Sequence, residues 1–180
     1  MKIMGISGLP GSGKSMVSEV AAQKGAIIVS MGDIIREEAA KRGESSKQTA
    51  QKLREEHGPL IVAELTVKKI KNIFDENLTE TIIVEGIRSP YEVNLFKKHF
   101  DNFLILSIFA NPKVRFERLK NRGRADDSSD YDEFVKRDHM ELDFGIGTVI
   151  CLSDKIIINE GSLEDYLVEI NDFFKKEMGI

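Results

Sequence analysis

The sequence predicts a three-layer α/β fold around a five-stranded parallel sheet, and three observations carry that prediction. Short runs rich in Ile, Val, Leu and Phe alternate with longer amphipathic segments along the 180 residues, as strands covered on both faces by crossover helices require. A glycine loop joins the first apolar run directly to a helical pattern, the layout of a βα unit. No repeat period or low-complexity linker interrupts the chain, so a single domain over 1–180 is expected.

The elements follow in order. Lys2–Ser7 reads as the first strand, Lys14–Lys24 as the helix after the glycine loop, and Ala26–Ser30 as a short second strand. Asp33–Phe74 holds two or three helices, broken near Gly43-Glu44-Ser45 and Gly58-Pro59 where turn residues cluster. Thr81–Glu85, Phe103–Ala110 and Lys155–Ile158 are the third, fourth and fifth strands. Helices are expected at Pro90–His99, Pro112–Asn121, Tyr131–Leu142 and Leu163–Lys176. In the last, Tyr166, Ile170, Phe173 and Phe174 recur at helical spacing and read as core.

Composition narrows the function classes. No stretch approaches the roughly 20 apolar residues of a membrane span. Met1 to Gly5 runs straight into the first strand, so no signal peptide is expected. With one cysteine, Cys151, an internal disulfide is impossible and a reducing cytoplasm is the expected compartment; Cys151 itself reads as a small core residue. A net charge of −4 argues against bulk nucleic-acid binding, which shows a basic face. His57, His99 and His139 lack metal-ligand spacing. The expected partners are small-molecule nucleotides, with no nucleic acid and no membrane, for a monomer or homodimer.

The glycine loop carries the chemistry. Gly8-Leu9-Pro10-Gly11-Ser12-Gly13-Lys14-Ser15 is a complete G-x-x-x-x-G-K-S at a strand-to-helix junction. Glycines let successive N–H groups turn inward as an anion nest, and the helix that begins at Lys14 and continues through Ser15 and Met16 adds its positive end. Lys14 can bridge β- and γ-phosphates, and Ser15 can offer a hydroxyl to Mg²⁺. The expectation is a P-loop NTPase fold that binds ATP with Mg²⁺. GTPases, motor ATPases, sulfotransferases and small kinases share this loop. The N-K-x-D and D-x-x-G sequences expected of a GTPase, and the L-S-G-G-Q of a transporter ATPase, are missing from the chain.

Two further segments carry a resemblance. Val29-Ser30-Met31-Gly32-Asp33-Ile34-Ile35-Arg36 resembles the S-T-G-D-x-x-R segment of adenylate kinases, and Ile83-Val84-Glu85-Gly86-Ile87-Arg88 resembles their D-G-F-P-R segment. The whole chain resembles an archaeal family described as adenylate-kinase-related. The run Asp154–Ser162 is closer to dephospho-coenzyme A kinases, whose last strand ends in D-x-x-I-x-N-x-G-S. The resemblance implies the kinase strand order 2-3-1-4-5, a helical acceptor-binding region at about 33–75 and a short lid at about 118–138. It implies that Asp33, Arg36, Gly86 and Arg88 meet the acceptor, and that Glu85 holds the Mg²⁺ shell with Ser15, where relatives carry aspartate. The residues fit this placement: Arg36 and Arg88 lie just past strands two and three, at the carboxyl edge where open α/β sheets bind ligands.

After the fourth strand, Arg115, Arg118 and Arg122 fall at i, i+3 and i+7 and so share a helix face. Arg124 and Arg137 bracket the acidic turn Ala125–Asp130. Arginines at a lid stabilise charge on a transferring phosphoryl group, and Arg118, Arg122 and Arg137 are the candidates. The lid has no cysteines, so it holds no zinc. The Asn159–Ser162 loop is expected to line the adenine pocket. Two kinase readings remain open. In one, like nucleoside monophosphate kinases, the acceptor is a nucleotide phosphate and needs no base. In the other, like dephospho-coenzyme A kinases, it is a ribose hydroxyl and Asp33 is the candidate base, although Met31 stands where those enzymes carry a paired aspartate. A regulatory ATP-binding module is the third reading.

Overall fold

The computed structural model describes residues 2–76, 78–123 and 129–180. Its strands are β1 (Lys2–Ser7), β2 (Ile27–Ser30), β3 (Thr81–Glu85), β4 (Leu104–Phe109) and β5 (Lys155–Ile158), paired in the order β2-β3-β1-β4-β5. Every pairing is parallel. Register brings Ile6 beside Glu85, and Glu85 beside Ser30, at one edge of the sheet. The loop after β1 therefore opens on the carboxyl ends of its neighbours.

The helices are α1 (Lys14–Gln23), α2 (Met31–Arg42), α3 (Ser46–His57), α4 (Ile61–Asp75), α5 (Pro90–His99), α6 (Pro112–Arg122), α7 (Tyr131–Asp143), α8 (Ile146–Cys151) and α9 (Leu163–Phe173), the last continuing as a π-helical turn over Phe174–Met178. Strand alternation separates two cores. Ile82 and Val84 face a cluster with Ile34, Val67, Ile70 and Phe96 of α2, α4 and α5. Ile83 faces the opposite side, where Met4, Ile6, Leu106 and Ile108 pack on Val17, Ile170 and Phe174. Period-two strands between helical layers produce this division. The expected breaks near Gly43 and Gly58 are the C-caps of α2 and α3. Among the described residues no helix is long and apolar enough to cross a membrane.

Two expectations need correction. A helix was not foreseen between Leu142 and Lys155, yet α8 forms there, too short for a periodic signal. Cys151 is exposed, not core. Ile146 and Val149, one turn apart, take the buried face of α8, which turns Cys151 outward.

Candidate active site

The loop Gly8–Ser15 is held from outside. Gly8, Gly11 and Gly13 all have positive φ. At Gly13 a Cβ would come within 2.2 Å of Asn159 Nδ2, so only glycine fits there. The same Asn159 nitrogen donates to the Ser12 carbonyl at 2.9 Å, and the Tyr166 hydroxyl donates to the Gly13 carbonyl at 3.0 Å. Arg115 Nη1 donates to the Pro10 carbonyl at 3.2 Å. Three outward carbonyls are thus tied by three side chains, which leaves the loop amides to a ligand on the inside. Burial pushes the Tyr166 phenol up, so it stays a neutral donor.

Lys14 turns its ammonium back into the loop and donates to the Gly8 carbonyl at 2.7 Å and the Leu9 carbonyl at 3.1 Å. Burial lowers its pKa to about 8, against the opposing pull of Glu141 and Glu85. The charged form is held without a full counter-charge, the condition a bound polyphosphate would relieve. Ser12 Oγ and Arg118 Nη1 are buried with no hydrogen-bond partner. Arg118 Nη2 donates to Asn159 Oδ1 at 3.2 Å, so Arg118 adjoins the loop through the same asparagine that holds it. Unmatched donors beside an amide nest fit an anionic ligand.

Glu85 ends β3 half-buried and accepts a hydrogen bond from Ser18 Oγ of α1. Ser18, itself buried, lies one turn beyond Ser15. The Glu85 side chain is thereby fixed against the helix that carries the Ser15 hydroxyl. Among the described residues no three His, Cys, Asp or Glu side chains converge as a self-sufficient metal site. A hydroxyl and one carboxylate suit Mg²⁺, which keeps waters and takes phosphate oxygens.

The other expected residues fall into two places. Asp33 and Arg36 pair with each other on the first turns of α2, both largely exposed. Gly32 lets the Arg36 guanidinium lie across the helix start, 3.3 Å from where a Cβ would stand. Gly86 has φ +93°, and a Cβ there would meet Met31 at 3.2 Å. Arg88 and Arg137 line a cavity of about 380 Å³ between the loop after β3 and α7. Arg88 Nε approaches Glu141 Oε2 at 3.4 Å, with the Phe144 ring 5.9 Å from its guanidinium carbon. Arg122 is exposed in the last turn of α6. Arg124 and the acidic turn through 128 lie outside the described residues.

Arg115 departs from the shared arginine face. It is 2% exposed, donates to the Ala110 carbonyl at 3.0 Å, pairs bidentately with Asp138 at 2.8 Å on its Nη1 arm, and lies under the Phe134 ring. It braces the loop from behind. Ser18, Asp138, Glu141 and Tyr166 were not singled out from sequence as site residues. Only Ser18 left a trace, one turn from Ser15; the others depend on which helices pack on the loop.

The family model described as an AAA domain matches residues 7–134. A UPF0200 protein of Methanothermobacter thermautotrophicus is 49% identical, over 91% of this chain and 84% of that protein. Another, from Pyrococcus furiosus, is 48% identical over 88% of each. Among solved structures, shikimate kinase from Bacteroides thetaiotaomicron superposes with a TM-score of 0.64 at 13% identity, covering 99% of both chains. TT1252 from Thermus thermophilus gives 0.59 at 20% identity, covering 97% of both. At those identities the two structures bear on fold alone, a kinase-like P-loop architecture. The chain belongs to the AAA domain family and, with these archaeal relatives, to the UPF0200 proteins.

Proposed function

We propose that this protein is an ATP-dependent phosphotransferase of the nucleoside monophosphate kinase-like class, which moves the γ-phosphate of ATP to a small nucleotide such as AMP. The observation that carries the reading is the partly buried Lys14, at pKa about 8, beside a cavity that presents Arg88 and Arg137. A phosphate in the loop would supply the counter-charge of Lys14, and a second anion in that cavity would compete with Glu141 for Arg88. In this reading the loop amides and Lys14 orient the donor phosphates, Arg118 and Arg137 neutralise the transferring group, and Arg88 holds the acceptor. Transfer then depends on positioning and charge stabilisation. Ser15 and Glu85 would hold Mg²⁺, which supplies charge neutralisation at the phosphates. Asp33, exposed and paired with Arg36, has no need to act as a base when the acceptor oxygen is already anionic.

The test is an ADP-release assay across AMP, CMP, UMP, GMP and dephospho-coenzyme A. Strong stimulation by a monophosphate supports the reading. Stimulation by dephospho-coenzyme A alone moves it to the hydroxyl class, and slow release stimulated by none would make the protein a regulatory ATPase. With the active acceptor, Arg88→Ala is expected to raise the acceptor KM and leave ATP affinity nearly unchanged; weakened ATP affinity would put Arg88 on the donor side. Ser18→Ala should free the Glu85 carboxylate and weaken Mn²⁺ binding to the ADP complex several-fold, by roughly the ~1 kcal/mol of a lost hydrogen bond. Electron paramagnetic resonance of bound Mn²⁺ measures this directly. An unchanged affinity would remove Glu85 from the metal shell.

A further inference from the structure

The Arg88–Glu141 contact joins two elements that chain order does not bring together. Arg88 stands just past β3 and Glu141 on α7. Glu141 is 14% exposed on its side chain and Arg88 51%. The pair is loose: 3.4 Å, through Nε, longer than a well-made charged hydrogen bond. The ring of Phe144, one turn beyond Glu141, lies 5.9 Å from the guanidinium carbon. Glu141 also acts electrostatically on Lys14. One carboxylate therefore lies in the field of both cations assigned to the two substrates.

α7 itself is anchored. Asp138, one turn before Glu141, is locked to buried Arg115. Gly145 closes the far end so near α5 that a Cβ would stand 2.9 Å from Pro90 Cδ. The helix is held on both sides of Glu141, so the pair parts by rotation of its side chains and not by a shift of α7.

We infer that Glu141 is a specificity-determining residue: it occupies Arg88 as an internal substitute for the acceptor's phosphate and sets a threshold that a phosphate dianion passes and a carboxylate does not. The inference rests on the acceptor-side reading of Arg88. A phosphate dianion brings twice the charge of a carboxylate and more acceptor oxygens to the guanidinium, so it can outcompete the singly held Glu141 carboxylate where a free carboxylate, of equal charge, only matches it. Until such an anion arrives, Glu141 keeps negative charge facing the cavity and disfavours weaker anions on Arg88.

The test is Glu141→Gln, which keeps the shape and removes the charge. Inorganic phosphate and acetate serve as probes at pH 8 by calorimetry, with saturating Mg–ADP filling the loop. Phosphate affinity should rise about five- to tenfold, the scale of removing one partly exposed ionic competitor. Acetate binding is expected to be undetectable in the native protein and measurable in Glu141→Gln. In an Arg88→Ala background the same substitution should change nothing. An equal or weaker phosphate affinity in Glu141→Gln, with Arg88→Ala still weakening it, overturns the role of Glu141 and leaves Arg88 on the acceptor side. If neither substitution alters phosphate binding, both readings fall. A gain that persists without Arg88 also overturns the inference.

Discussion

Lys14→Met is expected to lower turnover by at least ~10²-fold, the scale of losing one preorganised transition-state contact, while raising the melting temperature of the nucleotide-free protein. The two effects have one origin. Burial holds the Lys14 pKa at about 8 in the folded protein, from an ordinary value of 10.5. Below pH 8 both folded and unfolded chains carry the charge, and the fold bears the whole cost of burying it, at most roughly 3 kcal/mol by the linkage relation. Between about 8 and 10.5 the folded protein has released this proton and the unfolded chain has not. Native stability must therefore climb with pH across that window. Lys14→Met, free of the penalty, should lack that climb. Melting curves of both proteins from pH 7 to 10 isolate the lysine in their difference. Parallel curves would show that Lys14 is not a strained buried charge. Conversely, under the proposed function ATP would supply the missing counter-charge, so its binding above pH 8 should take up a proton. Calorimetry in buffers of different ionisation enthalpy would detect it.

The second large effect concerns stability. Asp138→Ala leaves the Arg115 guanidinium, 2% exposed, without its carboxylate, and stranding a buried charge costs roughly 3–5 kcal/mol. For a chain of this size that corresponds to a fall of about 10 °C in Tm. Replacing both partners with apolar residues, as in Arg115→Met with Asp138→Leu, should recover most of the loss, because a packed apolar pair often matches a buried ion pair. Turnover should not recover, since the Pro10 carbonyl has still lost its tie to Arg115. A double variant with full activity would show that the brace behind the loop is dispensable. One that stays as unstable as Asp138→Ala would place the cost in shape and not in charge.

The strands and most helices were legible because each rests on a local signal. Ile82 and Val84 face one core and Ile83 the other, a period visible in the sequence itself. The expected starts at Pro90 and Pro112 are those of α5 and α6, where Ser89 and Asn111 cap the helices in the structure. The phosphate loop was legible for the same reason: its glycines, lysine and serine lie within eight residues. What escaped was the support. Arg115 had the spacing of a solvent-facing lid arginine, and only the packing of α6 against α7 makes it a buried brace. Glu141 looks like an ordinary charge on an amphipathic helix; its meaning arises from Arg88, which arrives from the end of β3. Asp33 and Arg36 were placed in neighbouring helical turns by sequence, and their mutual pairing follows from that three-residue spacing.

The ties on the loop come from far along the chain. Arg115 reaches Pro10 across 105 positions, Asn159 reaches Ser12 across 147, and Tyr166 reaches Gly13 across 153. During synthesis, a chain that has left the ribosome only as far as β4 already carries every letter of the phosphate motif and none of the clamps that shape it. The final shape of the loop therefore waits on the last third of the chain, and under the proposed function a donor nucleotide would meet its finished cradle only after the sheet has formed.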